Sequence, residues 1–217
     1  MTSGRLVLLS GPSSAGKSTL AAALVDLLET PWHVVPVDLI HATRSRPDLR
    51  GVEGIAWEDV FAATRRGYHR ALSGLVRGGC DVIGDHVFSE SWRLPDLLAV
   101  TEGLDVLLVH VTCTPETLTA RELARGDRIA GTAVEQLGVV FAHGDADLTV
   151  DTTAAPAEVG AAAVAELVVR PPSDRAWARL AIWSASSADL DAESAHFGAD
   201  SAQNTGRGVG EGVGNSR

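Results

Sequence analysis

Apolar and polar residues fall into blocks along the chain whose order predicts strands and helices in turn. Arg5 to Ser10 (RLVLLS) is a short, almost wholly apolar run and reads as a buried strand. Gly11 to Lys17 forms a turn, and Ser18-Thr19-Leu20 opens an alanine-rich helix reaching Leu28. Trp32 to Asp38 (WHVVPVD) reads as a second strand, which Pro36 places at a sheet edge or ends early. Residues 44–54 are loop. From Ile55 to Val76, Trp57, Val60, Phe61, Tyr68, Leu72, Leu75 and Val76 recur at helical spacing and predict a long amphipathic helix. Gly78-Gly79 stops it, Cys80 to Asp85 is a third buried strand, and residues 91–101 are helical. Leu104 to Cys113 (LDVLLVHVTC) is the clearest strand in the chain. Thr114-Pro115-Glu116 then starts a helix with proline at its first position, running to Arg125 before Gly126. A helix over roughly 133–142, a strand over 147–151 and a helix from Pro156 to Val169 complete the series.

Strands alternating with helices in this way predict a parallel sheet covered on both faces. Length alone, 217 residues, favours one domain, or one domain with an appendage. The boundary is set near 170, because Pro171-Pro172 opens a stretch of Ser, Ala, Asp and Gly that ends in GRGVGEGVGNSR. Residues 171–217 are therefore expected to form a flexible or disordered tail, in which Trp177, Leu180 and Trp183 could make a docking helix.

The charge balance narrows the partners. Lys plus Arg number 18 against 28 Asp plus Glu, a net charge of −10, which disfavours broad attraction to nucleic acid or to anionic membrane. No apolar run reaches the ~18 residues of a membrane span, and the first strand runs straight into a glycine loop where a signal peptide would have its cleavage site. The expectation is a cytoplasmic protein acting on a small molecule; homo-oligomerisation is compatible with the sequence, but nothing in it indicates one. Cys80 and Cys113 each sit in an apolar run with no metal-ligand spacing around them, so neither a disulfide framework nor structural zinc is expected.

Gly11-Pro12-Ser13-Ser14-Ala15-Gly16-Lys17-Ser18 satisfies the phosphate-loop pattern G-x-x-x-x-G-K-[ST], between a strand and a helix start as the motif requires. Its backbone N–H groups and the positive end of the following helix suit phosphate oxygens. Lys17 is the only lysine among 217 residues and occupies the one position where a phosphate-binding lysine is needed. Gly11 to Thr19 are accordingly assigned to ATP, with Lys17 also catalytic and the Ser18 hydroxyl on Mg2+.

Ligands of open α/β sheets gather at the carboxyl ends of the strands. Asp38 ends the second predicted strand and Asp85 the third. Asp38 is assigned as general base toward an acceptor hydroxyl and Asp85 as a second carboxylate on magnesium. The alternative for each is a helix cap. His41 and His86, close by in sequence, are candidates for the acceptor pocket, with a structural role as the alternative. In R-E-L-A-R-G-D-R, Arg121, Arg125 and Arg128 fall at helical offsets beside Gly126 and Gly131. Arg125 and Arg128 are assigned to a lid over about 121–132 that clamps charge on the moving phosphoryl group. Arg121 stays open between lid and solvated face, and on the solvated-face reading Glu116 and Glu122 pair locally with the arginines.

The loop GPSSAGKS, Pro31-Trp32 leading to Val37-Asp38, GDHVF at 84–88, and ELARGDRIAG followed by VDTT at 150–153 resemble the chloramphenicol phosphotransferase family over roughly 5–170. The resemblance implies a three-layer P-loop, nucleoside-kinase-like α/β fold with a central, mostly parallel five-stranded sheet. It also implies transfer of the γ-phosphate of ATP to a small-molecule alcohol, which inactivates an antibiotic in the best-known member. It assigns the base to Asp38, lid roles to Arg125 and Arg128, and a position near adenine to Thr152 and Thr153. The chain departs from the family in a shorter segment after Asp38 and in His86, where a second acidic residue is usual. The expected function is thus an ATP- and Mg2+-dependent O-phosphotransferase acting on a hydroxyl compound such as chloramphenicol. The rivals are a kinase of a metabolite, nucleotide or nucleotide-sugar, and a nucleotide-binding regulatory switch.

Overall fold

The structure, a computed structural model, describes residues 2–46, 54–125 and 131–184. Five strands, β1 (Arg5–Ser10), β2 (Trp32–Val35), β3 (Asp81–His86), β4 (Asp105–Thr112) and β5 (Leu148–Asp151), form one sheet in the order β2-β3-β1-β4-β5. Every neighbouring pair is parallel. Among the described residues seven helices pack with it, α1 (Lys17–Val25), α2 (Val37–Ala42), α3 (Trp57–Arg77), α4 (Arg93–Val100), α5 (Pro115–Arg125), α6 (Thr132–Val140) and α7 (Ala157–Val169), and a further helical stretch begins at 176.

The apolar run of β1 explains its central place, since both faces of the strand are covered. Leu6 and Leu8 join Tyr68, Leu72 and Val76 of α3 and Leu94 and Leu97 of α4 in one core layer. Val7 and Leu9 join Leu20 and Leu24 of α1 and Ala161 and Val164 of α7 in the other. A strand buried on both faces carries no polar alternation, which is why it reads as a continuous hydrophobic block. Among the described residues no helix is long and apolar enough to cross a membrane.

Two boundaries differ from the sequence reading. β2 is an edge strand, as Pro36 implies, but it stops at Val35. Pro36 serves as the N-cap of α2, a six-residue helix too short to announce itself by periodicity, and Asp38 lies in its first turn. The compact unit also runs beyond residue 170, to Ala181. Ala176, Trp177 and Leu180 enter the α3–α4 core layer, so 171–181 is packed structure and the boundary expected at 170 is displaced. Asp147 explains this: Oδ2 accepts from Leu108 N in β4 while Oδ1 accepts from Ala176 N, 2.8 Å each, capping the helix that starts at 176. Trp177 Nε1 donates to Thr101 Oγ1 at 3.0 Å. Trp183 falls in a separate unit beginning at Ile182, of which residues 182–184 are described and helical.

Candidate active site

The loop between β1 and α1 takes its shape from two glycines and one strained serine. A Cβ on Gly11 would lie 2.0 Å from the Val111 carbonyl oxygen of β4, so only glycine lets the chain pass there. Ser14 has φ 62° and Gly16 φ 90°, left-handed values that turn successive N–H groups inward. Gly16 is the N-cap of α1, whose first turn contains no acidic residue, so nothing there offsets its positive end. Lys17 is only 7% exposed, and its Nζ donates to the carbonyls of Gly11 (2.9 Å) and Pro12 (2.8 Å). Ser13 N donates to Gln136 Oε1 of α6 at 2.8 Å, a tie that no local motif signals.

A cleft of about 340 Å³ opens over this loop, lined by Ser13, Ser14, Gly16, Lys17, Ser18 and Thr19. Ala15 is fully buried, and Gly11 and Pro12 contribute the carbonyls that hold Lys17. Toward β4 and β5 the cleft is walled by Arg121 and Thr152, and toward β2 and β3 by Asp38, Arg65, Asp85 and His86.

On the β5 side, Thr152 Oγ1 donates to the Ala15 carbonyl at 2.8 Å, and Arg121 donates to Thr152 Oγ1 (3.0 Å) and to its carbonyl (2.7 Å). Arg121, left open by spacing alone, therefore locks the β5 end to the phosphate loop. Thr153 instead accepts from Thr114 N at 3.0 Å, bracing the start of α5.

On the β3 side, Asp85 Oδ1 accepts from Val37 N at 2.8 Å. Asp85 is thus a cap, but of α2 from a neighbouring strand, and it fixes the turn that carries Asp38. Tyr68, fully buried on α3, reinforces the same corner. Its hydroxyl accepts from Asp85 N (2.9 Å) and lies within hydrogen-bond distance of the Val35 (2.9 Å) and Asp85 (2.7 Å) carbonyls. Burial, followed by the nearby Asp85 charge, raises its pKa well above the usual phenol value, so it stays protonated and donates. Asp38 itself is half-exposed, with Arg125 Nη2 4.0 Å from its carboxylate across the cleft. Solvent-exposed pairs of this kind contribute little to stability, which leaves the contact easy to exchange. Arg128 lies outside the described residues.

His86 is fully buried and lines the cleft, whereas His41 stacks on Phe61 with ring centroids 5.0 Å apart. Burial lowers the pKa of both His69 and His86, so both rings are neutral at pH 7. His69 Nδ1 lies 2.6 Å from Asp96 Oδ2, and His69 Nε2 lies 2.7 Å from His86 Nε2. A carboxylate only accepts, so His69 carries its hydrogen on Nδ1 and His86 must donate from Nε2. His86 Nδ1 is then a bare acceptor, with no hydrogen-bond donor facing it among the described residues.

Glu122 does not pair locally on a solvated face, the alternative for this segment. It is 3% exposed, and its carboxylate accepts from Gly131 N (2.7 Å) and Ala133 N (3.1 Å), capping α6 from α5. Glu122 thereby ties α5 to the start of α6. Sequence reasoning missed Arg65, Gln136, Asp147 and this use of Glu122; the first three sit in no motif, and Glu122 opens ELARGDRIAG but meets its partners 9 and 11 residues further on.

The geometry matches known proteins at two levels. Residues 4–169 match the model of the family described as chloramphenicol phosphotransferase-like protein. A curated Mycobacterium tuberculosis relative, present in two strains and named as an O-phosphotransferase, is 32% identical over 176 residues, covering 72% of this chain and 78% of the relative. Among solved structures, the APS kinase of Mycobacterium tuberculosis in complex with AMPPNP and APS superposes with a TM-score of 0.56 at 19% identity, over 78% of this chain and 99% of that one. The shikimate kinase of Acinetobacter baumannii in complex with shikimate gives 0.58 at 14% identity, over 78% and 95%. These structures share the fold. The family match and the curated relatives go further: the chain belongs to the chloramphenicol phosphotransferase-like family and is a P-loop, kinase-like O-phosphotransferase.

Proposed function

We propose that the protein works in the cytoplasm and transfers the γ-phosphate of ATP, taken with Mg2+, to a hydroxyl of a small molecule, with Asp38 as the base. The observation that carries this reading is that one cleft unites the phosphate loop and Lys17 with Asp38 and Arg125.

Lys17 exchanges the Gly11 and Pro12 carbonyls for β- and γ-phosphate oxygens, and the loop N–H groups and α1 hold the remaining charge. The hydroxyl of Ser18 and the carboxylate of Asp85 line the same cleft, and hard oxygen donors of this kind suit magnesium. Among the described residues no group of three or more His, Cys, Asp and Glu side chains could hold a metal. Ser18 and Asp85 would therefore share the ion with phosphate and water. The bound ion supplies charge neutralisation on the phosphate oxygens. Asp38, held in the first turn of α2, accepts the proton of the attacking hydroxyl. Arg125 neutralises the negative charge that spreads over the transferring oxygens, a role the family resemblance also gives to Arg128, and Arg125 is released from Asp38 as that charge arrives.

The family resemblance makes a hydroxyl-bearing antibiotic such as chloramphenicol one acceptor to test, beside metabolites, nucleotides and nucleotide-sugars. Product is scored by mass shift in Mg-ATP. Asp38→Asn is expected to lower acceptor turnover by roughly 10²–10⁴-fold with nucleotide affinity retained. Lys17→Ala and Lys17→Met are expected to lose ATP binding by calorimetry in magnesium buffer. Asp38→Asn turning over within a few-fold of the parent removes the base. Lys17 variants that titrate ATP as tightly as the parent remove the nucleotide site.

A further inference from the structure

Arg65 is a charged part of the cleft wall to which this chemistry gives no role. It projects from α3, is 8% exposed, and lines the cleft with Lys17, Asp38 and Asp85. Its Nε and Nη1 are enclosed and, among the described residues, have no hydrogen-bond acceptor and no ion-pair partner. The guanidinium rests on the Phe61 ring, 4.8 Å from its centroid. Burial and the neighbouring Arg93 charge lower its pKa to about 10, with Asp38 and Asp85 opposing, so the group is charged at neutral pH.

Arg93 shows what a structural arginine looks like in the same place. It is 3% exposed and lies 5.6 Å from the same Phe61 ring, but it donates to the Val87 carbonyl (2.7 Å) and Ser89 Oγ (3.0 Å) and pairs with the Glu90 carboxylate. A buried cation without such partners is costly to keep. Position argues against the nucleotide as the missing partner: Arg65 stands on the β2–β3 side of the loop with Asp38, while Arg121 and Thr152 close the β4–β5 side.

We propose that Arg65 recognises an anionic group on the acceptor, so that the hydroxyl compound phosphorylated here carries a carboxylate or a phosphate besides its reacting hydroxyl. The inference rests on the kinase reading of this cleft and narrows its substrate class away from neutral alcohols. A guanidinium presents a planar fork that carboxylate and phosphate oxygens match in pairs, which a neutral acceptor does not.

The test uses the full chain with its phosphate loop filled by Mg-AMPPNP. Matched compounds are added and the melting temperature is followed: a sugar with its aldonic acid for the carboxylate arm, a nucleoside with its 5′-phosphate for the phosphate arm. In at least one arm the anionic member is expected to stabilise the loaded parent and the neutral member not. Arg65→Gln is expected to weaken that effect about 10- to 100-fold in midpoint concentration, with Arg65→Lys in between. Unliganded Arg65→Met is expected to melt no lower than the parent, since it removes a buried charge that has no ion-pair partner among the described residues and leaves an apolar chain on the Phe61 ring. No anion effect in either arm, an equal effect on Arg65→Gln, or loss of AMPPNP affinity in Arg65→Gln overturns the proposal. A fall of more than about 5 °C in unliganded Arg65→Met also overturns it, by marking the guanidinium as a structural strut. If AMPPNP does not bind the parent at all, the kinase reading itself fails first.

Discussion

Asp85 performs a structural task that can be separated from a chemical one. Its Oδ1 accepts from Val37 N at 2.8 Å, and Val37 is 6% exposed at the first position of α2. That N–H is one of the donors a helix start leaves without an internal partner. Asp85→Ala removes a charged acceptor from a buried donor, at a cost of about 1.5–3 kcal/mol. In a domain of this size that corresponds to a melting temperature roughly 4–10 °C lower. Asp85→Asn leaves an oxygen in place and is expected to cost about 1 kcal/mol or less. The bonds from Tyr68 go to the backbone of residue 85 and survive both changes, so the difference isolates the Val37 contact. If the carboxylate also serves magnesium, both variants should need about 10- to 100-fold more Mg2+ for half-maximal turnover. Equilibrium urea unfolding reads the first effect and a magnesium titration of acceptor turnover the second. Equal stability losses in the two variants would refute the capping role. An unchanged magnesium requirement in Asp85→Asn would refute the metal role.

Glu122→Ala is expected to cost roughly 1.5–3 kcal/mol in urea unfolding, because one buried and one partly buried N–H group at the start of α6 lose a charged acceptor; a change within 0.5 kcal/mol sinks the capping account. Ending the chain at 170, or Trp177→Ala within the full chain, should destabilise it by about 3–5 kcal/mol, since Trp177 is 5% exposed in the α3–α4 core layer; a melting temperature unchanged by truncation would show 171–181 to be dispensable. Stability should also fall in acid. Burial, then the neighbouring His143, lowers the pKa of His110 from 6.5 to about 4, so the unfolded chain binds the proton first as pH drops below 6.5. His110, 6% exposed, alone takes away about 2 kcal/mol by pH 5, and His69 and His86 act in the same direction. The urea midpoint should be level above about pH 7.5 and decline below 6.5, with a smaller decline in His110→Gln; a midpoint constant from pH 7 to 5 contradicts the assignment.

Much of the fold was legible along the chain because its signals are local. β1 and β4 are uninterrupted apolar runs, Thr114-Pro115 announces α5, and GPSSAGKS carries its own glycines and lysine. α2 escaped notice because six residues span less than two helical turns, too few for a period to register. Arg65 escaped because a charged residue within an amphipathic helix looks solvated until the helix is placed. Glu122 looked solvated for the same reason, with arginines beside it in sequence.

The sequence by itself determined the alternation of strands and helices, the anion-binding loop, the family and the two aspartates worth considering. Each of these depends on contiguous residues, on a backbone conformation or on a short repeat, all fixed before any distant part of the chain is in place. Only the tertiary structure decided what those groups face. Val37 meets Asp85 across 48 residues and Ser13 meets Gln136 across 123. Such pairs exist only once the order β2-β3-β1-β4-β5 has gathered the carboxyl ends of the strands around one cleft. Burial acts in the same way: a guanidinium becomes costly, and so informative, only when the packing of α3 has removed its water.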